Sequence, residues 1–125
     1  MIGDNNLSQR IEIYISCRNL KSLDILSKSD PYVKVSYRKD FSQQNFFALG
    51  QTESISNQPN PNFKQTFVID YLFESRQDIK FEIMDDDGSE NNNDYIGIVE
   101  TTVGALMGAT SQTSILDIKD PSKKN

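Results

Sequence analysis

"RIEIYISC", residues 10–17, alternates without a break: Ile11, Ile13, Ile15 and Cys17 share one face, and Glu12, Tyr14 and Ser16 share the other. A period of two marks a strand with one buried face, because successive side chains of an extended chain point to opposite sides. The same period returns in "PYVKVSYR" (31–38), "FKQTFVIDY" (63–71), "DIKFEIM" (78–84) and "YIGIVETTV" (95–103). "NFFALGQTES" (45–54), interrupted by Gly50, and "SILDIK" (114–119) bring the expected strands to seven. Turn-rich segments separate them, among them Asn57-Gln58-Pro59-Asn60-Pro61-Asn62. Two glycines in "VGALMGA" (103–109) limit that stretch to about one helical turn. Short alternating strands joined by such loops predict an all-β fold, an antiparallel sandwich or barrel.

The chain's 125 residues suit one domain, 1–125, with a core over about 10–119 and tails at 1–9 and 120–125. A net charge of −5 argues against nucleic acid, whose phosphates require clustered Lys and Arg. No apolar run approaches the roughly 20 residues of a spanning helix, and residues 1–6 lack the pattern of a signal peptide. With no His there is no Ser-His-Asp triad and no zinc or copper centre of the usual kind. There is no Gly-rich phosphate loop either, so nothing points to an enzyme or to a small-molecule substrate. Cys17, the single cysteine, continues the apolar series and reads as a small buried hydrophobe in a reducing, cytoplasmic setting.

Chemistry concentrates in two acidic loops about sixty residues apart. Asp24 and Asp30 flank "ILSKS", and Asp85, Asp86, Asp87 and Asp94 lie within "MDDDGSENNNDYIG" (84–97). Loops that leave one end of a sandwich bring such clusters face to face. Carboxylates without His or Cys are hard oxygen ligands, and calcium takes 6 to 8 oxygens at about 2.3–2.6 Å in irregular geometry. Six carboxylates exceed the need of one ion, so two or more are expected. An EF-hand starting at Asp85 fails, because its sixth and twelfth positions are Glu90 and Ile96. The competing reading is a solvated acidic face in turn-forming loops.

"LKSLDILSKSDPYVKVSY" (20–37) resembles the first loop and following strand of a C2 domain, whose pattern runs from an aspartate to Ser-Asp-Pro-Tyr-Val-Lys-Val. "NPNF" (60–63) is similar to the family's Asn-Pro-x-Phe/Trp element, and "FEIMDDDGSENNNDYIG" (81–97) to its third loop. Within the family, "IEIYISCRNL", "FVIDYLFESRQDIKFEIMD" (67–85) and the long polar third loop look most like the first C2 domain of a copine. Copines bind phospholipid in a calcium-dependent manner through two such domains, which precede a von Willebrand A-like domain. The resemblance implies an antiparallel Greek-key β-sandwich in the permuted topology that begins at the second strand. Its eighth strand would follow about residue 120, so the chain is expected to be a fragment of a larger multidomain protein.

The resemblance also implies calcium ligands at Asp24, Asp30, Asp85, Asp87 and Asp94, with an oxygen from Asn91, Asn92 or Asn93 as a further candidate. Asp86 is expected to face solvent or to offer only its carbonyl, and Glu90 to contribute charge alone. The implied function is calcium-triggered recruitment from the cytoplasm to anionic phospholipid membranes, with Ile25 and Leu26 as membrane contacts. The third-loop tip is too polar to insert, and lysines for phosphoinositides are few: Lys34, Arg38 and Lys39. The rival is a calcium-independent protein-interaction or scaffold domain.

Overall fold

The computed structural model describes residues 8–20, 30–39, 45–86 and 94–120. Among the described residues six strands form two antiparallel sheets: β1 (Ser8–Ile13), β2 (Pro31–Arg38), β3 (Phe47–Gln51), β4 (Phe67–Leu72), β5 (Asp78–Asp85) and β6 (Asp94–Thr102). One sheet pairs β1 with β4, and the other runs β3-β2-β5-β6. A five-residue helix, α1 (Val103–Met107), follows β6, capped by the Thr102 hydroxyl, which accepts from the Ala105 N–H. Of the antiparallel sandwich or barrel expected from the period of two, the sandwich is the observed architecture.

The core lies where the alternating faces meet. Val33, Val35, Ile79 and Val103 are wholly buried, and Phe63, Phe67, Ile69, Phe81 and Ile83 pack with them. Cys17 joins this cluster, and burial pushes its thiol up to about 11, which makes it an unreactive core residue. Glu12 and Tyr14 point outward as expected, with Tyr14 74% exposed. Two residues break the alternation: Tyr32 and Met84 belong to the outward set yet are buried. They are partners across the β2–β5 ladder, so each large side chain shields the other.

Three expected strands differ in extent. The first ends at Ile13, after which Ser16 forms a single bridge to Asn62. The third is shorter than 45–54, and within it Gly50, at φ 147°, sits beside a bulge that shifts the register between Val35 and Ser36. The fourth starts at Phe67; the turn-rich approach to it keeps Phe63 in the core without a ladder. Residues 114–119 form no strand. They touch the sheet through one bridge between Lys119 and Ile98, and Ile115 is 94% exposed. Gly97 makes that bridge possible: a Cβ there would lie 2.1 Å from Ile118 Cγ2 and 2.9 Å from the Lys119 carbonyl.

The two sheets are tied together at one end by polar groups. Gln77 is 1% exposed, accepts from the Leu72 N–H at 2.9 Å, and donates to the Tyr37 hydroxyl at 3.0 Å and the Asp70 carbonyl at 2.7 Å. Its neighbour Asp78, with a side chain 7% exposed, takes Arg38 Nη2 at 2.7 Å and Arg76 Nε at 2.9 Å. Burial alone would raise the Asp78 carboxyl, but the two guanidiniums outweigh it and hold the group below the ordinary aspartate value of 3.8. A depressed native value means that Asp78 stabilises the fold above about pH 3.8 and that this contribution is lost as pH falls through the native value. Urea unfolding at pH 5 and pH 3 should therefore show an acid-side loss of stability, and Arg76→Gln should narrow it.

Candidate functional site

Opposite the Asp78 end, the sheet order lines up four chain segments along one edge. β3 ends there and runs into Thr52–Asn57; β2 begins there after Asp30; β5 ends at Asp85; β6 begins at Asp94. Register makes the neighbours explicit: Pro31 pairs with Asp85, and Asp85 with Asp94. Three of the five aspartates expected as ligands are thus brought to one edge, although residues 30 and 85 are far apart in sequence. Asp24 and Asp87, with Ile25, Leu26, Asn91, Asn92 and Asn93, lie outside the described residues.

Backbone N–H groups hold these carboxylates in place. The Asp30 N–H donates to Asp85 Oδ1 at 2.9 Å, and the Asn57 N–H donates to Asp30 Oδ1 at 2.8 Å. Asn57 has φ 51°, the left-handed turn that asparagine tolerates and that aims this N–H at Asp30. The Asp86 N–H donates to the Asp30 carbonyl at 3.0 Å, and the Ile55 N–H to the Pro31 carbonyl at 3.1 Å. Asp30 and Asp85 are half-buried and Asp94 is exposed. Beside Asp94, the Tyr95 hydroxyl donates to Glu82, and this bond, with partial burial, pushes the phenol up to about 12.

Charge is balanced unequally between the two ends. Among the described residues the ion pairs are Arg10–Asp70, Arg38–Asp78 and Arg76–Asp78, and none involves Asp30, Asp85 or Asp94. A donor set made only of carboxylate and carbonyl oxygen suits a hard cation such as calcium and suits zinc or copper poorly. Among the described residues no group of three or more acidic, His or Cys side chains converges tightly enough to hold a metal by itself.

The sequence reading missed the loop after β3. Ser54 was expected to end the third strand and Asn57 to open a turn-rich segment, yet both reach the acidic edge. No local pattern signals this, because their partners, Asp86 and Asp30, are distant in sequence. Asp86 also differs from its expected role: its Oδ2 accepts from the Ser54 hydroxyl at 2.9 Å.

The family model of the C2 domain matches residues 9–118. This chain belongs to the C2 domain family. It is similar to Copine-A of Dictyostelium discoideum, 42% identical over 118 residues that cover 94% of this chain and 19% of that protein. It is similar also to Copine-B of the same organism, 38% identical over 121 residues that cover 92% of this chain and 23% of that protein. The chain thus spans about a fifth of the length of these curated relatives. Among solved structures, human GIVD cytosolic phospholipase A2 superposes with a TM-score of 0.62 at 20% identity, covering 79% of this chain and 14% of that one. A C2 domain of plant Extended Synaptotagmin 1 superposes with a TM-score of 0.60 at 17% identity, covering 76% of this chain and 69% of that one. These likenesses carry the fold, and the family makes the chain a membrane- or protein-interaction module.

Proposed function

We propose that this C2 domain is a calcium-dependent module that brings a larger, copine-like protein from the cytoplasm to anionic phospholipid membranes, acting as a binding element and not as an enzyme. The observation that carries the reading is the row Asp30, Asp85 and Asp94 at one sheet edge, without an ion-pair partner among the described residues. Asp30, Asp85 and Asp94, with Asp24 and Asp87, would hold the cation; calcium supplies positive charge that carboxylate and lipid phosphate oxygens can share. Two such ions would add four positive charges and take the formal net charge of the chain from −5 to −1.

The chain's own part is electrostatic and geometric. Crowded carboxylates repel an anionic surface when no cation is present, whereas basic charge near such a surface is worth about 1 kcal/mol per group. The bonds from Asn57 and Asp30 prearrange two of the carboxylates, which lowers the ordering cost of binding. Ile25 and Leu26 would add apolar contact with the lipid. Phosphatidylserine-containing vesicles should sediment the protein with calcium and release it with chelator; equal sedimentation in both would favour the scaffold reading.

A further inference from the structure

The loop after β3 enters the acidic edge through a side chain of no evident purpose in the fold. Ser54 is exposed and lies in no strand, yet its Oγ is 2.9 Å from Asp86 Oδ2. Asp86 follows the last residue of β5, where the strand period turns its side chain away from that of Asp85. The Asp85 carboxylate instead meets the Asp30 N–H. The same Asp30 residue receives the Asp86 N–H on its carbonyl and the Asn57 N–H on its carboxylate. Residues 54–57, Asp30 and Asp85–Asp86 therefore close a ring of hydrogen bonds in which the Ser54 hydroxyl is the side-chain donor and backbone N–H groups supply the rest.

We propose that Ser54 is a positioning residue for the acidic edge: its hydroxyl holds the Asp86 carboxylate against the loop after β3 and so fixes the end of β5 that presents Asp85. A hydroxyl donating to a charged carboxylate makes one of the stronger side-chain bonds. Without it, the Asp86 carboxylate loses its bond to the loop after β3, and the peptide between Asp85 and Asp86 gains freedom that a bound cation would have to remove. The effect on cation binding rests on the calcium reading above, whereas the positioning does not.

Two measurements on the full chain separate these parts. In metal-free protein, Ser54→Ala should speed hydrogen exchange at the amides of residues 54–57 and 85–86 several-fold. Ser54→Thr, which keeps the hydroxyl, should restore it, and the melting temperature should stay near that of the parent chain. In a calcium titration, Ser54→Ala should weaken binding three- to tenfold, with Ser54→Thr again like the parent. Unchanged exchange in Ser54→Ala overturns the proposal outright. Faster exchange with unaltered or tighter calcium binding overturns the link to the cation. Faster exchange in Ser54→Ala, together with a parent chain that takes up no calcium, confirms the positioning and overturns the calcium reading.

Discussion

Asp85→Asn is expected to weaken calcium binding at least tenfold and to abolish calcium-dependent vesicle sedimentation at calcium levels that saturate the parent chain. The substitution keeps the size of the side chain and an oxygen able to accept from the Asp30 N–H, so the local bond at 2.9 Å can persist while the charge is lost. Asp85 lies between Pro31 on β2 and Asp94 on β6, so its charge is central to the row. A tenfold loss corresponds to about 1.4 kcal/mol, a modest demand on a carboxylate facing a divalent ion. Without calcium the variant should melt at the same temperature or slightly higher, because one like charge has left a crowded edge. With calcium the parent should gain stability by mass action and the variant should gain less. Asp70→Asn, at an exposed pair with Arg10 on the other sheet, serves as the control that leaves binding intact. Parent-like calcium affinity in Asp85→Asn would remove Asp85 from the site.

The largest effect on stability is expected from Gln77→Leu. Gln77 is almost fully buried, and its amide serves three partners: the Leu72 N–H, the Asp70 carbonyl and the Tyr37 hydroxyl. Two of these are backbone groups of β4, and the third belongs to β2, so one side chain joins the two sheets. Leucine is similar in volume but leaves these groups without that partner, at a cost of about 1–3 kcal/mol for each buried group stranded. The total should reach about 3–5 kcal/mol, a large share of the 5–15 kcal/mol typical of a domain. Urea unfolding should show a lower midpoint at an unchanged slope. A loss under about 1 kcal/mol would mean that water replaces the amide and that the sheets do not depend on it.

Strands were the most legible part of the sequence, because a period of two needs only local information. β2, β5 and β6 lie within a residue or so of their expected spans. The errors sit where pairing, not alternation, decides. "SILDIK" has an alternating pattern but one bridge, since a strand exists only where a neighbour supplies hydrogen bonds. Tyr32 and Met84 carry the pattern of an outer face and are buried by each other. The aspartates of the candidate site were legible as residue types and spacing. Ser54 and Asn57 were not, because their roles depend on which strand lies next to which.

By itself, then, the sequence determined the all-β class, the apolar faces that form the core, and the two acidic loops, because side-chain alternation and charge are properties of the local chain. The sheet order β3-β2-β5-β6 was decided only in three dimensions. That order sets the end of β3 beside the start of β2, and the end of β5 beside the start of β6. Asp30, Asp85 and Asp94 thereby share an edge with the loop that carries Ser54, while Arg38 and Arg76 neutralise Asp78 at the far end. The physical reason is that antiparallel pairing fixes register through backbone hydrogen bonds between distant residues, and no local pattern contains that information.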